Sequence, residues 1–133
     1  MKSHFSLYEV LRKCSASEQA HVFTSPALSL NLCRLTLALE GIRAFLQLPL
    51  IVNSSYRDYA HNKAVGGVPD SQHLTCSAAD ISCKSLPLLI EAVKSYQQSG
   101  GVLGQVIVYS NFIHVALAEA CEERTREYKF MYN

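Results

Sequence analysis

The chain contains five histidines. His4 and His21 lie in polar N-terminal surroundings and His61 falls on a short predicted helix, so capping or surface roles account for them. His73 and His114 differ, because each adjoins a predicted strand and a glycine-rich or polar loop. Six residues, Leu74 to Ala79, separate His73 from Asp80, and among them Thr75, Ser77, Ala78 and Ala79 are small enough for a tight turn. Such a turn would aim both side chains at one centre. Two imidazole nitrogens and a carboxylate oxygen give zinc three protein ligands and leave a fourth position for water, the pattern of catalytic rather than structural sites. A strand histidine taken alone is more often structural, so spacing by itself leaves both readings open.

The cysteines supply a weaker alternative. Cys14, Cys33, Cys76, Cys83 and Cys121 form no CxxC pair, and an odd count argues against a complete disulfide framework. Cys76 and Cys83 flank Asp80, which raises thiol ligation as a possibility, but no other sulfur pair supports a structural zinc finger. The cysteines read mainly as small apolar residues in a reducing compartment.

The elements that must position these groups follow from periodicity. A short helix is expected over Ser6 to Cys14, followed by a polar segment up to Ser25. Ser25-Pro26 is a helix start, and Leu28, Leu32, Leu35, Leu39, Ile42 and Leu46 recur at helical spacing to about Gln47. Pro49 ends that helix, Leu50 to Val52 reads as a buried strand, and Asn53-Ser54-Ser55 as a turn. Asp58 to Val65 predicts a short helix, Gly66 to Asp70 a loop, and Ala78 to Ser82 a strand. Leu86 to Gln98 is helical and stops at Ser99-Gly100-Gly101. Strands are expected over Gln105 to Tyr109 and Asn111 to Leu117, then an edge strand at Tyr128 to Tyr132. On the second of these, alternation puts His114 on one side with Phe112 and Ala116, opposite Ile113, Val115 and Leu117. Helices first and a small, mostly antiparallel sheet after them make an α+β domain spanning residues 1–133.

Composition bounds the function. Hydrophobic residues make up 49% of the 133 and charged residues 17%, which fits a globular chain with its own core. Lys and Arg number 12 against 11 Asp and Glu, so no broad field attracts nucleic acid or acidic membranes. The N-terminus lacks the apolar core of a signal peptide, and Arg34, Glu40 and Arg43 interrupt the most apolar stretch. The expectation is a monomer made in the cytoplasm without stable membrane insertion, released or carried to any substrate outside.

Four ordered motifs carry a family resemblance. Ser54-Ser55-Tyr56-Arg57, Asn62-Lys63-Ala64-Val65-Gly66-Gly67, Ser71-Gln72-His73 running to Asp80, and Phe112-Ile113-His114-Val115 resemble the D-Ala-D-Ala carboxypeptidase family of zinc peptidases, which includes phage endolysins and vancomycin-resistance dipeptidases. The resemblance implies the hedgehog-like fold of that family and zinc held by His73, Asp80 and His114. It implies that Arg57 steadies the substrate carbonyl as negative charge develops there. Read as a local residue, Arg57 would instead pair with Asp58 or Asp70. Tyr56, Ser71 and Tyr109 are expected near bound substrate, with Ser71 equally suited to capping a turn. The implied substrate is a peptidoglycan stem peptide.

Two positions depart from the family pattern. Cys76 stands where glycine is usual, which demands either an ordinary backbone angle there or a strained one. Asn111 stands where better-known members carry the acid that accepts the proton from water, and an amide cannot do so. Glu119, Glu122 and Glu123 read as an exposed charged face. The alternative to a peptidase is therefore a catalytically impaired cell-wall binding module that keeps its zinc.

Overall fold

A computed structural model describes residues 5–118 and 130–132. Helix α1 (Leu7–Val10) is capped by Ser6. Helix α2 (Ala16–Thr24) occupies the segment that the sequence marks only as polar. Its start is a reciprocal cap: the Ser15 hydroxyl accepts the Glu18 amide while the Glu18 carboxylate accepts the Ser15 amide. Val22 is its one buried apolar residue, so there is little hydrophobic stripe to read. Helix α3 (Pro26–Phe45) begins at the Ser25 cap and buries Leu28, Leu32, Leu35, Leu39 and Ile42, as the leucine spacing predicts.

Strand β1 (Ile51–Ser54) runs further than expected, taking in Asn53 and Ser54, which had been read as a turn. A bulge between Val52 and Ser54 supplies the bend without ending the strand. Helix α4 (Tyr59–Ala64) is capped by the Asp58 carboxylate. Strand β2 (Ala78–Ser82), helix α5 (Leu86–Gln98), strand β3 (Leu103–Val108) and strand β4 (Ile113–Leu117) follow. The β3–β4 turn is wider than a single serine: the Tyr109 amide donates to the Phe112 carbonyl across it. Strand β5 (Phe130–Tyr132) completes the sheet at an edge, as expected; Tyr128 lies outside the described residues.

The sheet order is β1-β2-β4-β3-β5, antiparallel except for the β3–β5 pair. Alternation splits its central strands cleanly. Ala79 and Ile81 on β2, Ile113 and Val115 on β4, and Val106 and Val108 on β3 join α3 and α5 in one buried core. The opposite face carries Asp80, His114 and Ile107. The register pairs Asp80 with His114 and His114 with Ile107, so these three lie side by side across the sheet. The fold is α+β, as periodicity indicated. No single helix among the described residues is long and apolar enough to cross a membrane.

Candidate metal centre

Asp80 and His114 are cross-strand neighbours because strands β2 and β4 pair in that register. His73 comes from outside the sheet. It sits on a 3-10 turn (Gln72–Thr75) whose cap is the Ser71 hydroxyl, accepting the His73 amide at 3.2 Å. The Nδ1 of His73 donates to the Ser55 carbonyl at 2.6 Å, and the His73 carbonyl accepts the Arg57 amide at 3.0 Å. These bonds tie the turn and its ring to the segment just after β1 and leave Nε2 facing Asp80. A ligand histidine is commonly oriented in this way by a hydrogen bond from its other nitrogen.

The residues fit a tetrahedral ion. Asp80 Oδ1 is 3.3 Å from His73 Nε2 and 3.0 Å from His114 Nδ1. Two atoms bound about 2.1 Å from one tetrahedral zinc are roughly 3.4 Å apart, close to both separations. All three candidate ligand atoms lie within 4.8 Å of one another. Asp80 feels opposing influences: burial pushes its carboxyl up, but hydrogen bonds and charge from His114 and His73 outweigh that and hold it well below the usual carboxylate range.

Arg57 does not pair with Asp58 or Asp70. Its Nη2 lies 3.3 Å from Asp80 Oδ2, and its Nε donates to the Ser54 hydroxyl at 3.1 Å. One Asp80 oxygen is thus occupied by Arg57 while the other faces both histidines. Behind Arg57, the buried Asn62 accepts from its Nη1 and donates to the Val68 carbonyl. The loop closes tightly here, since a Cβ on Gly67 would fall 2.0 Å from Asn62 Oδ1, while Gly66 takes a left-handed φ of 72°.

The described cysteines stand outside the His73–Asp80–His114 cluster. Cys76 is fully buried and burial pushes its thiol up to about 12, so it stays protonated. Its backbone is the strained alternative, at φ 57° and ψ 32° in the left-handed region. Cys83 and Cys14 are half-buried free thiols and Cys33 an exposed one, while Cys121 lies outside the described residues.

The three candidate ligands open into a cleft of about 500 Å³ that Arg57, Ser71 and Tyr109 also line. Tyr109 stacks on Phe112 with ring centroids 4.6 Å apart, forming one wall. Two expected site residues lie elsewhere. Tyr56 is buried, its hydroxyl 2.8 Å from His21 Nδ1, and it does not line the cleft. Its neighbour Arg57 lines the cleft instead. Asn111 is exposed at the β3–β4 turn and also stands outside the cleft lining. Glu119, Glu122 and Glu123 lie outside the described residues.

Several lining residues escaped the reading of the sequence. Gln105 and Ile107 share the cleft face with Tyr109. Counting back by twos along β3 would have found them. Asp70 lines the cleft as well, and only its place next to Ser71 hinted at that.

Residues 3–116 match the family model described as Peptidase M15. No curated protein matches the chain closely enough to count as a relative. With a match over most of its length and a His-Asp-His cluster fit for a metal, the chain belongs to the M15 family of zinc peptidases.

Proposed function

We propose that this chain hydrolyses peptide bonds of peptidoglycan stem peptides with zinc held by His73, Asp80 and His114. It would act as a D,D-carboxypeptidase or an endolysin-like endopeptidase, on the cell wall after release or as a phage component, as a one-domain monomer over residues 1–133. The observation that carries this reading is the convergence of the three ligand atoms within 4.8 Å at an open cleft. Zinc in such a site polarises the scissile carbonyl and brings the pKa of water to about 7.

The chain's own groups do the rest. Ser71 and the Ser55 carbonyl hold His73 in its orientation. Arg57 holds the carboxylate of Asp80 and stands beside the cleft, where its charge stabilises the oxyanion that forms as the carbonyl is attacked. Tyr109 offers a hydroxyl to bound substrate from the cleft wall. Tyr56 supports the Arg57 segment from within the core instead of meeting substrate.

Incubating the zinc-loaded chain with purified muropeptides tests the reading directly, with chromatography to detect products. New stem-peptide fragments are expected; none, while an active M15 enzyme cuts the same sample, overturns it. A second reading is motivated by Asn111, an amide in place of the usual acid. In that reading the chain binds the wall through the same zinc-bearing cleft without cutting it. Muropeptide binding without products in the same assay selects that reading.

A further inference from the structure

Two carboxylates line the cleft among the described residues, and their circumstances are opposite. Asp80 is committed on both oxygens, to Arg57 and to the two histidines. Asp70 is exposed and makes no side-chain hydrogen bond or ion pair among the described residues. Arg57 lines the same cleft, yet it bonds Asp80 and not Asp70. The negative charge of Asp70 is therefore left for whatever enters. Among the described residues it makes no hydrogen bond or ion pair to His73, Asp80 or His114.

A pair of amides lies in the same cleft. Gln72 Nε2 donates to Gln105 Oε1 at 3.3 Å. That bond leaves Gln72 Oε1 as an acceptor and Gln105 Nε2 as a donor, each without another partner among the described residues. One acceptor beside one donor is the complement of a peptide group.

We infer that Asp70 is a specificity residue that selects peptides carrying a protonated amine, with the Gln72–Gln105 pair holding a neighbouring backbone amide. The inference rests on the peptidase reading and narrows its substrate to amine-bearing peptides. The amine is either the side-chain amine of a diamino acid or a free N-terminus, which present the same ammonium to Asp70.

The test uses a synthetic stem peptide containing one diamino acid, in forms acetylated on the side-chain amine, on the terminal amine, or on both. Binding of each form to the metal-free full chain is measured by calorimetry, and kcat/KM on the zinc-loaded chain where cleavage occurs. One of the single acetylations is expected to weaken binding about fivefold, the worth of a partly exposed ion pair, and which one does so identifies the amine. Asp70→Asn is expected to bind all forms equally, and Asp70→Lys to prefer the doubly acetylated one. Equal binding of all forms by the natural chain overturns the inference, as does discrimination that survives Asp70→Asn. Loss of kcat in Asp70→Asn with binding preferences intact also overturns it, assigning Asp70 to proton transfer. Discrimination in binding without any cleavage upholds Asp70 as the amine-selecting residue and removes the peptidase reading alone.

Discussion

Two histidine–carboxylate pairs occupy different layers of this molecule. His61 Nδ1 lies 2.9 Å from Glu18 Oε2 in the helical layer, and His114 Nδ1 lies 3.0 Å from Asp80 Oδ1 on the open face of the sheet. The pairings are almost the same in length and in chemistry. Their surroundings decide what each can do. Glu18 is buried with both oxygens spent on backbone: Oε1 accepts the Ser15 amide and Oε2 the Asp58 amide, each at 2.8 Å. It closes the start of α2 and pins that of α4. Asp80 has one oxygen held by a guanidinium and the other shared between two imidazoles that face a cleft. The first pair is a clamp and the second belongs to a cluster that could hold a metal, because only the second faces an accessible cleft.

Exchange of roles would break that contrast, and the largest effect is expected at the metal site. Losing a residue that merely orients a ligand costs roughly 10–100-fold in metal affinity. Asp80→Asn, which removes a candidate ligand's charge, and His73→Ala, which removes a candidate ligand atom, are expected to exceed that, read by competition with a chelating dye. Glu18→Ala in the same titration is expected to keep full zinc stoichiometry. Comparable losses in all three variants would mean that the helical layer and the metal centre are one cooperative unit.

Glu18→Ala should instead appear in stability. It strands the amides of Ser15 and Asp58, and removing one partner from such a buried charged network costs about 3 kcal/mol. Urea unfolding measures it, and a change under about 1 kcal/mol would dissolve the clamp. The pH dependence has a definite sign. Burial raises the Glu18 carboxyl, but hydrogen bonds from Ser15, Asp58 and His61 together carry it below its ordinary value of 4.5. A depressed folded value means stability that is present above the unfolded value and lost as pH falls through the folded one. The natural chain should therefore lose stability in the acid range below 4.5, and Glu18→Gln should flatten that limb.

The contrast also separates what could be read in the sequence from what could not. Strand alternation puts His114 on the cleft side with Phe112, and the ordered motifs pick out the three residues that could hold a metal. Leucine spacing located α3 because that helix buries a continuous stripe. Helix α2 was missed because its start is a polar reciprocal cap and it buries little besides Val22 and Glu18. The Ser15–Glu18 spacing was the available sign. Tyr56 stands in the core and not at the cleft, and adjacency to Arg57 does not tell which of two neighbouring side chains faces the cleft. The partner of Arg57 was likewise out of reach, since Asp80 is brought to it only by the β1–β2 pairing.

Cys76 offers a smaller effect that isolates backbone from packing. The left-handed angle of this residue suits glycine, and a side chain there costs about 1 kcal/mol. Cys76→Gly and Cys76→Ala both remove the buried sulfur, so their difference reports the backbone alone. Cys76→Gly is expected to be the more stable by about 1 kcal/mol in urea unfolding. Equal stabilities would mean that the turn relaxes once the thiol is gone, and that His73 is held by the Ser55 carbonyl and Ser71 rather than by the turn.

The smallest change is expected at the position that the family pattern made most prominent. Asn111→Asp restores an acid three residues before His114, but the side chain stands exposed on the β3–β4 turn and outside the cleft lining. An exposed substitution with no contact to the site shifts energies by roughly half a kcal/mol, about twofold in a rate. Muropeptide cleavage by Asn111→Asp should therefore stay within about twofold of the natural chain. A gain beyond tenfold would show the carboxylate reaching the reacting atoms. That requires the Tyr109 amide to release the Phe112 carbonyl and the turn to fold over the cleft, carrying the stacked Tyr109–Phe112 wall with it. The two histidine–carboxylate pairs would then differ in one more respect: the clamp around Glu18 is complete as it stands, and the rim of the candidate metal centre would be built by movement.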